Sequence, residues 1–89
     1  MKPIRRHKEY EKHFLKRITP HEKLVTQFKE RLVLFVTGKL GNPLNDYALK
    51  GKLAGKRGFS VAGDIRVVYK ETEDNIVFLD VGTHNQVYK

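Results

Sequence analysis

The chain has 89 residues, with 18 Lys and Arg against 10 Asp and Glu, a formal charge of +8 and no cysteine. That length makes one domain, residues 1–89, with a core one layer thick between two elements. The composition excludes a disulfide framework and thiolate chemistry, and no run reaches the roughly 18 apolar residues of a membrane span.

In chain order, Lys2 to Arg6 reads as a short first strand, with Pro3 tolerated at an edge or a strand start. The basic N-terminus has no apolar segment behind it, so it is not a signal peptide, and a cytoplasmic location is expected. Tyr10, Phe14 and Ile18 recur every four residues and predict a helix over His7–Ile18. Thr19-Pro20-His21-Glu22 predicts a second helix start, with Thr19 as N-cap, Pro20 at the first helical position and Glu22 closing a capping box. That helix carries Leu24, Phe28, Leu32 and Phe35 on one side and stops near Gly38. Gly38–Pro43 is turn-rich, and Asn45–Lys56 has no clear periodicity. Three strands follow: Arg57–Ala62, a Gly63-Asp64 turn, Ile65–Lys70, a turn over Thr72–Asn75, and the apolar Ile76–Gly82, with a short tail behind. The string β-α-α-β-β-β predicts an α+β domain, a helical hairpin on one face of a mainly antiparallel four-stranded sheet. The other face is left open for a site.

The charge favours a polyanionic partner, because counterions displaced from phosphates drive binding whatever the sequence; RNA, DNA, an acidic protein and an anionic membrane surface all satisfy it. Of four histidines, His7, His13 and His21 read as solvated helix residues, and no spacing suits a metal. With Gly63 and Asp64 as turn residues, Val61 pairs with Arg66, which puts Arg57, Phe59 and Arg66 on one face, an arginine pair with an aromatic between.

Three motifs lie in order within Asp46–Tyr88: L-x-G-x-x-x-G-x-R (Leu49–Arg57), G-D-x-R-V-V-Y (Gly63–Tyr69) and V-G-T-H-x-x-x-Y (Val81–Tyr88). Together they resemble the C-terminal half of the RelE/ParE superfamily of toxin–antitoxin toxins, closest to its YafQ/RelE mRNA interferase branch. The resemblance implies a ribosome-dependent, metal-independent mRNA endonuclease that inhibits translation and is silenced by a cognate antitoxin. Its implied partners are that antitoxin, the ribosome and mRNA, with no membrane and no cofactor.

By the same resemblance, the phosphate-contacting arginine falls on Arg66, the branch histidine on His84, the near-terminal aromatic on Tyr88 and the hairpin aspartate on Asp64. Tyr47 and Ser60 stand where the branch has two further histidines, and Arg57 and Phe59 where RelE has two lysines. Metal-free cleavage needs a base for the 2′-hydroxyl, cations for the phosphate oxygens and an acid for the departing 5′-oxygen. His84 suits a proton-transfer role because imidazole titrates near pH 6.5, and Arg66 offers a fork of donors to a phosphate. Tyr88 can orient the phosphate, share in proton transfer or stack on a base. Tyr47, Lys50, Lys52, Lys56 and Arg57 are the expected contacts to RNA or the ribosome. Two other classes share the fold: a non-catalytic gyrase inhibitor of the ParE kind and an inactive relic that only binds an antitoxin.

Overall fold

Tyr10, Phe14 and Ile18 form the stripe that seats the first helix, α1 (Lys8–Arg17), against a sheet. They do so in a computed structural model that describes residues 1–88. His7 caps α1 by accepting from the Glu9 backbone N–H at 3.1 Å. The second helix, α2 (Glu22–Val36), sends Phe28 and Phe35 into the same core, with Leu24 and Leu32 partly buried beside them. Its start differs from the expected one. The Thr19 hydroxyl donates to the Leu15 carbonyl at 2.7 Å and so finishes α1, leaving His21 as the N-cap of α2 without a capping box. Beyond α2 the chain turns at Gly38, whose φ of +77° suits a residue without a side chain.

Five strands, rather than four, make the sheet. They are β1 (Ile4–Arg6), β2 (Tyr47–Ala48), β3 (Arg57–Ala62), β4 (Ile65–Glu71) and β5 (Ile76–Thr83), in the order β1-β5-β4-β3-β2. β3, β4 and β5 form an antiparallel meander, and β1 lies parallel to β5 at the edge, with Ile4 opposite Ile76. The added strand, β2, is two residues long and too short to show a period of two; Tyr47 lies opposite Gly58 and Ala48 opposite Arg57.

Both helices cover one face, where Phe35 meets Phe59, Tyr69 and Phe78 at ring-centroid distances of 4.9, 5.0 and 5.7 Å. The opposite face carries a smaller cluster of Leu49, Val68 and Val87, with Leu53, Leu79 and Tyr88 against it. Val87 belongs to a short helix, α3 (His84–Val87), where a plain tail was expected; Thr83 and Gln86 start it with a capping box. Among the described residues no helix is long and apolar enough to cross a membrane.

The β3–β4 register differs from the expected one by a single residue. The Gly63-Asp64 turn is present, with Ala62 opposite Ile65, but a bulge at Val61 makes Ser60 the partner of Arg66. Arg31 and Leu44 secure this irregularity, since the Arg31 guanidinium donates to the Ser60 carbonyl at 3.0 Å and the Ser60 N–H donates to the Leu44 carbonyl at 2.8 Å. The slip moves Phe59 into the helix-covered core, away from Arg66. The expected arrangement of Arg57, Phe59 and Arg66 on one face is therefore not formed.

Candidate active site on the open sheet face

Alternation along β4 buries Ile65, Val67 and Tyr69 toward the helices, and Arg66 and Val68 take the other face. Arg66 therefore sits near the start of β4, opposite Ser60 and Gly82, and its Nε is buried with no hydrogen-bond partner among the described residues. A buried guanidinium N–H without an acceptor is costly in a resting protein and suits an anion that arrives later.

α3 brings His84 and Tyr88 to the same face. Their rings meet edge to face at a centroid distance of 4.4 Å, and the His84 backbone N–H points to the Asp64 carboxylate at 3.4 Å. The Tyr88 hydroxyl lies 2.5 Å from that of Tyr47. Burial pushes the Tyr88 phenol above its ordinary pKa, the bond to Tyr47 adds to this, and the Arg66 charge opposes it. Like any phenol, Tyr88 is protonated at neutral pH, in the form that can donate.

An open groove of about 550 Å³ is lined by Tyr47, His84 and Tyr88, by the apolar Leu49 and Leu53, and by Lys50 and Lys52; Arg66 and Asp64 are not among its lining residues. Of the residues expected to contact RNA, Tyr47, Lys50 and Lys52 are here. Lys56 and Arg57 are not among the lining residues. Arg57 lies on the helix side and donates from Nε to Asp46 at 2.6 Å.

Two groupings went unread in the sequence. The Asp46 side chain is fully buried and takes hydrogen bonds from both Arg57 and the Tyr69 hydroxyl. Burial, then the bond to Asp46, raises the Tyr69 phenol, while the same carboxylate raises Arg57. A signal existed, since Asp46 is the sole acid between Glu30 and Asp64 in a lysine-rich stretch. His13, expected in solvent, is instead largely covered, with Nδ1 2.6 Å from Asp80 and Nε2 3.6 Å from Glu9. Arg17 completes this group, donating to the Val81 carbonyl at 2.9 Å. It fastens α1 to β5.

A family model described as the bacterial toxin of a type II toxin–antitoxin system, YafQ, matches residues 2–89. Among solved structures, YafQ from E. coli strain BL21(DE3) is 21% identical, covers 100% of each chain and superposes with a TM-score of 0.81. A chain of the E. coli DinJ–YafQ toxin–antitoxin complex is 24% identical, over 99% of this chain and 98% of that one, with a TM-score of 0.78. A YoeB/ParE toxin from Agrobacterium tumefaciens shares the fold at 13% identity and a TM-score of 0.72, over 92% of this chain and 98% of that one. A comparison with curated proteins gave no match.

Proposed function

Because the chain belongs to the YafQ family of type II toxin–antitoxin toxins, we propose that it is an endoribonuclease that cuts mRNA on the ribosome and so stops translation. The observation that carries this reading is the meeting of Arg66, His84 and Tyr88 beside a groove bearing Lys50 and Lys52. A ParE-like gyrase inhibitor or an antitoxin-binding relic has no need of such a set.

The division of labour follows from the environments. Lys50 and Lys52 draw the RNA backbone to the groove, and Tyr47 borders the path it takes. Arg66 gives its unpartnered Nε to the scissile phosphate and meets the charge that develops on its oxygens. His84, exposed at the start of α3, takes the proton of the 2′-hydroxyl as that oxygen bonds to phosphorus. The P–O5′ bond breaks, and the departing oxygen takes the proton of Tyr88, whose ring meets that of His84. Asp64 acts through the backbone of His84 and holds the start of α3 near the hairpin. No step calls for a metal or cofactor. The ribosome supplies what a shallow groove lacks, a strand of RNA held in line for attack.

The partner that restrains it is a cognate antitoxin, and the +8 charge suits an acidic segment laid across the basic surface. The place of action is the cytoplasm, where ribosomes are. Purified protein should cleave mRNA on 70S ribosomes and leave naked RNA nearly intact. Equal cleavage of naked RNA removes the ribosome from the mechanism, and gyrase inhibition without RNA cleavage replaces the reading altogether.

A further inference from the structure

Resting on that reading, we propose that Tyr47 is a positioning residue: with the bare Cα of Gly58 it seats the Tyr88 hydroxyl at the reacting phosphate, so that the two phenols work as one unit.

Strand pairing supplies the seat. Tyr47 lies opposite Gly58 across the β2–β3 ladder, and the Tyr88 hydroxyl comes down on the same spot. A Cβ on Gly58 would stand 2.9 Å from that hydroxyl, closer than real contacts allow, while its other neighbours, at 3.4 and 3.5 Å, would tolerate it far better. The backbone at Gly58 does not need glycine for its φ. The missing side chain therefore makes room for the Tyr88 phenol.

The Tyr47 ring is 37% exposed, so its place in the fold does not rest on burial. Its hydroxyl nonetheless reaches Tyr88 at 2.5 Å. A two-residue strand is a weak mount for such a contact, and the residue before it supplies the rigidity. Asp46, fully buried, is held by Arg57 at 2.6 Å and by the Tyr69 hydroxyl, which rises from the central strand β4. Tyr47 is thereby fixed to the scaffold at its own backbone, and Tyr88 is fixed to Tyr47.

Two hydroxyls that share one hydrogen bond keep a second O–H free for another acceptor, and each bond in such a chain strengthens the next. When the 5′-oxygen leaves with the Tyr88 proton, Tyr47 donates its hydrogen bond to the phenolate left behind. The charge is met by a donor already in place. The Tyr47 proton stays on Tyr47, and solvent returns one to Tyr88 after product leaves.

The test is mRNA cleavage on 70S ribosomes by the parent, Tyr47→Phe, Tyr88→Phe, the double variant and Gly58→Ala, with kcat and KM resolved. Tyr47→Phe keeps the ring and loses only the hydroxyl, so kcat should fall about 100-fold with KM unchanged. The double variant should be no slower than Tyr88→Phe alone. Gly58→Ala, which leaves both phenols in the sequence, should lower kcat by about 10-fold. Parental kcat in Tyr47→Phe, a change in KM alone, or single losses that multiply in the double variant would each overturn the proposal and leave the nuclease standing. A parent that cuts no mRNA overturns the nuclease and this proposal with it.

Discussion

On the helix-covered face of the sheet, twelve buried residues, five of them Phe or Tyr besides Tyr10, make one continuous core among the described residues; on the open face only Leu49, Val68 and Val87 do so. The same strands build both. Val67 is wholly buried, while Arg66, one residue earlier, presents a buried Nε with no hydrogen-bond partner among the described residues. A two-residue period thus lets a strand anchored by its apolar side hold a charged side chain rigidly on the other. Stability and chemistry are divided between faces, and a chain of this size carries both by placing them back to back. The sparse cluster has a use: it leaves the space that becomes the groove.

That division is open to attack from each side. Phe35→Ala, in the middle of the aromatic core, should cost about 3–5 kcal/mol, enough to unfold much of a small domain, and urea denaturation will read it. Should the protein melt normally, the helix-covered face is not the seat of stability. Arg66→Ala is the mirror experiment. Cleavage should fall two to three orders of magnitude, with stability held within about 1 kcal/mol because its Nε has no bond to lose. Growth arrest equal to the parent's on expression would remove Arg66 from the mechanism. His84→Gln acts on the pH profile. As a base, His84 makes the parent's rate rise with pH, and the variant should lose that rise along with most of the rate. A falling limb in the parent would assign His84 as the acid instead. The smallest effect lies at high pH. Tyr10, Tyr69 and Tyr88 titrate above their ordinary value when folded, mainly through burial, so the unfolded chain ionises first. Stability should be complete below about pH 10 and decline above it, and Tyr10→Phe should soften the decline in thermal melts.

Long-period features were legible before the structure. The four-residue stripe of α1, the apolar side of α2, the three meander strands and the Gly63-Asp64 turn all follow from side-chain spacing and turn chemistry. Short-range surprises were not. The bulge at Val61 adds one residue, which is invisible in composition yet moves Arg57 and Phe59 to the face opposite Arg66. β2 is two residues long, and α3 is a single turn set by the Thr83–Gln86 capping box, too short for any periodicity. Arg66, His84 and Tyr88 come from motif resemblance; in the fold His84 meets Tyr88 edge to face, and Arg66 lies close enough for its charge to act on the Tyr88 phenol. Asp46 with Tyr69 and His13 with Asp80 were not named, because each joins segments far apart in the chain; Asp46 stands out as a lone acid, but nothing local marks the partner it reaches. Tyr47 was read as an RNA contact; its bond to Tyr88 was beyond reach for the same reason.

The parallel pairing of Ile4 with Ile76 has a kinetic side. Closing that edge gathers nearly the whole chain into one loop, and contacts so distant in sequence are entropically late and slow. The α1–α2 hairpin and the β3–β5 meander need only neighbours, so they should assemble first, with β1 clipping on afterwards. At the end of that strand Lys2 reaches Glu71 at 2.8 Å and the Thr72 carbonyl at 2.7 Å, a tie that slows refraying without hastening arrival. Amide exchange should accordingly be fastest along β1. The strand that completes the sheet is also the one whose opening leaves the open face undisturbed, since Arg66, His84 and Tyr88 all lie beyond its reach on the meander and α3.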